Sequence, residues 1–132
     1  MALTVLDTSV LIAFLDATDE LHERSRTALQ ASDIVDSEWV LPTTVCAELM
    51  VGAYRAGRRV ADTLDSFIDE GVDRVEPVTL PIARRAARIR AEHTRLSLAD
   101  AFVIATGEVL EADVVLTADA VWRRASERVR VV

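Results

Sequence analysis

The chain has 132 residues, 51% of them hydrophobic and 28% charged, with four glycines and three prolines, which is the make-up of one packed domain rather than a disordered segment. A formal net charge of −7 argues against blanket electrostatic binding of nucleic acid, yet leaves room for a carboxylate cluster whose bound cations reverse the local sign. All fifteen basic residues are arginine, the single Cys46 excludes an internal disulfide, and no apolar run reaches the roughly 18 residues of a membrane helix, so a cytosolic protein with no membrane association is expected.

Residues 2–6 read as a short buried strand, and Asp7, Thr8 and Ser9 supply capping side chains before a helix over 10–15. An exposed amphipathic helix is predicted over 19–31, then a strand over 38–41. Pro42, Thr43 and Thr44 stop that strand and start a helix that runs to about Ala56, where Gly57 ends it. A further amphipathic helix over 58–70 precedes a strand over 72–78. Helices over 80–94 and 98–110, the second capped by Ser97, lead to the β-branched run of residues 113–117, a short helix over 119–125 and a last strand over 129–132. Alternating strands and helices predict an α/β fold with a parallel sheet covered on both faces.

Ligands of such sheets sit beyond the carboxyl ends of the strands. Asp7 follows the first strand, Asp119 follows the strand ending at Thr117, Asp100 opens a helix, and Glu48 interrupts an apolar helical stretch. Glu48 is read as the least expected of the four, because a carboxylate between Val45-Cys46-Ala47 and Leu49-Met50-Val51 looks buried and then needs a cation or an arginine. Asp7, Asp100 and Asp119 can each also be explained as a helix cap, Asp100 in a capping-box variant with Ser97. Taken together, four acids expected at one edge, with the Ser9 and Thr117 hydroxyls nearby, form an all-oxygen donor set suited to magnesium or manganese and poorly suited to zinc. His22 and His93 lie in charged helical segments and read as surface side chains. Arg55, Arg58 and Arg59 form one basic cluster and Arg84, Arg88 and Arg95 another; either could contact phosphate or simply be solvated.

The pieces VLDTSVLIA around Asp7, TTVCAELMVG around Glu48, LSLADAFVIATG around Asp100 and VLTADAVW around Asp119, in this order and spacing, resemble the PIN-domain ribonucleases, and within them the VapC-type toxins of bacterial toxin–antitoxin pairs. The resemblance spans the whole chain as a single domain. It implies a three-layer α/β/α sandwich, Asp7, Glu48, Asp100 and Asp119 as catalytic acids that bind magnesium or manganese, and Ser9 and Thr117 as second-tier contributors. It also implies RNA as substrate, a cognate antitoxin and a homodimer. Asp7, Asp100 and Asp119 would then be direct or water-bridged ligands, and Glu48 a ligand or the group that orients the attacking water. Three positions depart from the family's habit: Trp122 stands where Phe is usual, Ala118 where a polar or basic residue is frequent, and Gly107 where Ala is common.

Two other classes are weaker. Acid-cluster phosphatases and receiver domains also place acids at strand ends, but they use an active-site lysine and this chain has none. A non-catalytic PIN-like interaction module would be free to lose its acids, whereas all four positions here are acidic.

Overall fold

The apolar runs of the sequence become the strands β1 (Leu3–Leu6), β2 (Glu38–Pro42), β3 (Arg74–Glu76), β4 (Val114–Thr117) and β5 (Val129–Val131) of one sheet, in a computed structural model that describes residues 1–132. Every neighbouring pair is parallel and the spatial order is β3-β2-β1-β4-β5. Position in the sheet explains composition. Val5, Leu6, Val115 and Leu116 on the central strands are fully buried, as expected where helices cover both faces, whereas the edge strands β3 and β5 carry the exposed Arg74 and Arg130.

Helices α1 (Thr8–Leu15), α2 (His22–Gln30) and α3 (Ser32–Val35) join β1 to β2. Helices α4 (Thr43–Ala56) and α5 (Arg58–Gly71) join β2 to β3, and α6 (Leu80–Glu92) and α7 (Leu98–Val109) join β3 to β4. A 3-10 turn, Ala120–Arg124, links β4 to β5. Together they make the three-layer α/β/α sandwich. Gly57 separates α4 from α5 at φ 118°, a backbone setting that a side chain would strain. The short α3 has no counterpart among the expected elements, and the expected helix over 119–125 is the tighter 3-10 turn.

Gly107 marks the closest approach of helix to sheet. A Cβ there would lie 2.2 Å from Val115 Cγ2 on the buried strand β4, so α7 packs nearer than any larger residue permits. This gives the absence of alanine at that position a physical cause.

The chain leaves β1 toward β2 and β3 on one side, then returns so that β4 and β5 lie on the other. The order therefore reverses between β1 and β4, and a crevice forms beyond their carboxyl ends. Asp7 is the first residue past β1 and Thr117 the last of β4. Asp7 N donates to Leu116 O at 3.0 Å, which ties the two strand ends together at that crevice.

Candidate active site

Asp7 occupies the N-cap position of α1, yet its side chain makes no capping hydrogen bond. Its Oδ2 instead accepts from Ser9 Oγ at 2.7 Å and from Thr117 Oγ1 at 2.9 Å. Asp7 is only 7% exposed and Thr117 is fully buried. Burial pushes the Asp7 carboxyl above its ordinary pKa; the hydroxyls of Ser9 and Thr117 and the Thr8 backbone pull it back in part, and the negative charge of Asp100 raises it further. The capping explanation of Asp7 thus fails, and what stands is a buried carboxylate held by neutral donors.

Both hydroxyls serve a second partner. Ser9 Oγ accepts from Ala118 N at 3.0 Å, and Thr117 Oγ1 accepts from Asp119 N at 3.1 Å. Thr8 Oγ1 donates to Glu48 Oε1 at 3.3 Å. The tripeptide Asp7-Thr8-Ser9 is therefore a hub that reaches Glu48 on one side and the Ala118–Asp119 backbone on the other, while Asp100 couples to it through charge. Thr8 was not singled out by the sequence; a pairing across forty residues leaves no local signal, and only the hydroxyl-bearing Asp-Thr-Ser run hinted at it.

The other three acids are arranged differently from Asp7. Asp100 completes the capping box of α7, accepting from Ser97 N at 3.4 Å through Oδ2 while its own N donates to Ser97 Oγ at 3.0 Å. It follows α6 rather than a strand, so of the four acids only Asp7 and Asp119 lie just past the end of a strand. Asp119 caps the 3-10 turn, its Oδ1 accepting from Val121 N at 3.0 Å, and is exposed.

Glu48 requires a correction, because it is exposed rather than buried. The face of α4 that carries it also carries the exposed Ala47 and Val51, whereas Val45, Cys46 and Leu49 are the residues of that stretch that α4 buries. No buried-charge penalty applies to it.

None of the four acids is ion-paired; the salt bridges of the chain use Glu23, Asp33, Asp62, Glu76 and Glu108. Nor do three His, Cys, Asp or Glu side chains stand close enough together anywhere to form a ready-made metal cage. The donor set at the hub nonetheless suits magnesium, which keeps several of its waters and takes one or two carboxylates directly. Asp7, with no protein cation to neutralise it and with both side-chain hydrogen bonds on Oδ2, is the group that such an ion fits.

The PIN domain family model matches residues 4–128. The chain belongs to the PIN domain family. Among solved structures, this PIN domain is similar to VapC20 of Mycobacterium tuberculosis, described as a sarcin-ricin loop cleaving toxin, with 24% identity, 93% of this chain and 95% of that chain covered, and a TM-score of 0.77. It is also similar to a chain of DNA-bound VapBC from Salmonella typhimurium, with 23% identity, 100% and 98% coverage and a TM-score of 0.75. FitAcB from Neisseria gonorrhoeae shares 22% identity over 98% of this chain and 96% of that chain, with a TM-score of 0.75. At these identities the structural likeness speaks for the fold. No curated protein sequence matches the chain.

Two of the departures from family habit have local explanations in this PIN domain. The backbone N–H of Ala118, not its side chain, serves the hub. Trp122 is 1% exposed and fills the space beneath the 3-10 turn, at the cost of an indole N–H left without a partner. Beside Glu48, Ile12 and Leu15 of α1, Leu49 of α4 and Val60 of α5 line an apolar groove of about 440 Å³, and no helix of the chain is long and apolar enough to cross a membrane.

Proposed function

We propose that this PIN domain is a divalent-metal-dependent endoribonuclease of the VapC type, the toxin of a toxin–antitoxin pair acting in the cytoplasm, with Asp7, Glu48, Asp100 and Asp119 as its catalytic acids. The observation that carries the reading is Asp7: a buried carboxylate at the β1/β4 crevice, with hydroxyls where a structural ion pair would have an arginine. Such a group is costly to ionise in the fold alone and gains from a bound cation.

Magnesium or manganese held at this hub would lower the pKa of a bound water and neutralise charge that builds on the phosphate. Asp7, Asp100 and Asp119 would hold the ion, directly or through its waters. Ser9 and Thr117 fix the direction of the Asp7 carboxylate, and each links it to the segment bearing Asp119. Glu48, exposed and held only by Thr8, orients a water or completes the ligand set. RNA as substrate rests on family membership and on the similarity to VapC20, a sarcin-ricin loop cleaving toxin. The apolar groove beside Glu48 supports a protein partner, an antitoxin by analogy with a similar toxin–antitoxin complex from Klebsiella pneumoniae, and a homodimer is the expected assembly.

The test is cleavage of unstructured RNA with magnesium or manganese, with Asp7→Asn and Asp100→Asn as controls and sequencing of the RNA ends after induced expression. Both variants should fold and lose cleavage. Wild-type-like cleavage by either one sinks the site assignment, and absence of cleavage by the wild type with either metal sinks the nuclease reading.

A further inference from the structure

We propose that the cleft between residues 93–96 and the 3-10 turn Ala120–Arg124 holds single-stranded RNA beside the scissile phosphate, with Arg95 and Arg124 as its phosphate-positioning residues. The proposal rests on the nuclease reading above and names the path of its substrate. The cleft has a volume of about 370 Å³, toward the small end of the ~300–1,000 Å³ typical of ligand sites, which suits one nucleotide unit and is too small for a duplex.

Each wall runs straight into a candidate acid. Leu96 is followed by Ser97, the cap that holds Asp100, and Ala120 follows Asp119. Leu96, Ala120 and Val121 give the cleft apolar lining, while Arg95 and Arg124 are exposed at it. Single strands are held by cationic grooves that track the backbone, and a guanidinium can both contact phosphate and stack on a base.

The cleft carries one acid, Glu92, which is in no ion pair, against the two arginines; Arg85 is bridged to Glu108 instead. Arg95 and Arg124 are in no ion pair, and they are the two arginines that line this cleft. Arg124 also borders a second, polar cavity of about 750 Å³, lined by Arg123 and Arg128 together with Glu108 and Glu127. On a chain of net charge −7, such a track gives a phosphate backbone local cationic surface beside the acids.

The test measures anisotropy of a labelled, unstructured ten-nucleotide RNA with the full chain in chelator, which stops metal-dependent cleavage. Arg95→Ala/Arg124→Ala should weaken binding at least tenfold and lower the slope of log affinity against log salt by about 1.4, at ~0.7 per single-strand phosphate. The Lys pair should restore the slope, and Arg55→Ala/Arg59→Ala should leave both affinity and slope unchanged. With manganese present, the Ala pair should raise KM far more than it changes kcat.

The track is overturned if the Ala pair binds with wild-type affinity and slope, if the Arg55/Arg59 variant loses as much, or if the wild type does not bind the RNA. It is also overturned if a polyglutamate peptide displaces the RNA at lower concentration than unlabelled RNA does, which would give the arginines to an acidic protein partner. Arginine-dependent binding without any metal-dependent cleavage would leave the track standing and overturn the nuclease reading instead.

Discussion

Asp7→Asn separates the two demands placed on the hub. The asparagine amide oxygen can still accept from both Ser9 and Thr117, so the substitution removes the charge and keeps the geometry. Because burial raises the folded-state pKa of Asp7, the stability tied to its neutral form is fully present below the unfolded value of about 3.9 and is lost as pH rises through the folded value. In chelator, rising pH therefore destabilises the wild type and not the variant, so the variant should melt higher, by a margin that grows as pH rises above the unfolded value. Metal reverses the order. At one hundred times its Kd an ion that binds only the folded state adds about 2.7 kcal/mol. With an unfolding entropy of ~2.1 cal/mol/K per residue, the 132 residues give roughly 0.28 kcal/mol/K, so saturating magnesium or manganese should raise the wild-type Tm by about 10 °C. Scanning calorimetry of both proteins, with chelator and with metal, checks this. An equal rise in Asp7→Asn would place the ion elsewhere, and no rise in the wild type would refute a metal site at the hub.

Thr117→Val removes the hydroxyl that joins Asp7 to the Asp119 backbone and should cost 10- to 100-fold in metal affinity and cleavage, with Thr117→Ser recovering most of it; metal titration and steady-state kinetics report both. Ser97→Ala strips the cap from α7 and should lower stability by about 1 kcal/mol, whereas Asp100→Asn, which can still cap, should barely move the Tm while abolishing cleavage. Gly107→Ala drives a methyl group against Val115 on a strand with no room to retreat, and should destabilise by roughly 1–3 kcal/mol in denaturant titration. Adding Val115→Ala should return part of that loss, and a strictly additive double variant would contradict the packing described.

What could be read from the sequence was what repeats along it. The continuous apolar runs of β1 and β4 mark strands buried on both faces, and the acids just beyond them follow from the parallel sheet. The four residues of α3 have no room to display a period, although Ile34 is fully buried and its carbonyl receives both Ser37 Oγ and Trp39 Nε1. Glu48 shows the opposite failure. Apolar neighbours made it look buried, but which side of α4 is covered depends on what packs there, and Ala47 and Val51 are left in solvent with it. Asp100 and Asp119 do act as caps, as local reading allows, and each does so through one oxygen, which leaves the other available to a ligand.

The ranking of the acids is accordingly reversed, and the reversal has a chemical meaning. An arginine beside Asp7 would satisfy the buried carboxylate and also remove its charge from use. Two hydroxyls fix its direction without neutralising it, so the cost of burying the charge falls on the metal-free fold and is relieved when a cation binds. Rigidity is concentrated in the same place: Asp7 and Thr117 are locked at the ends of β1 and β4, while Glu48 and Asp119 stand in solvent, each with one carboxylate oxygen left for an ion at Asp7. On the proposed reading, a site built this way would need no preformed cage of three carboxylates, because the buried acid would set where the cation sits and the exposed acids would close on it or on its waters.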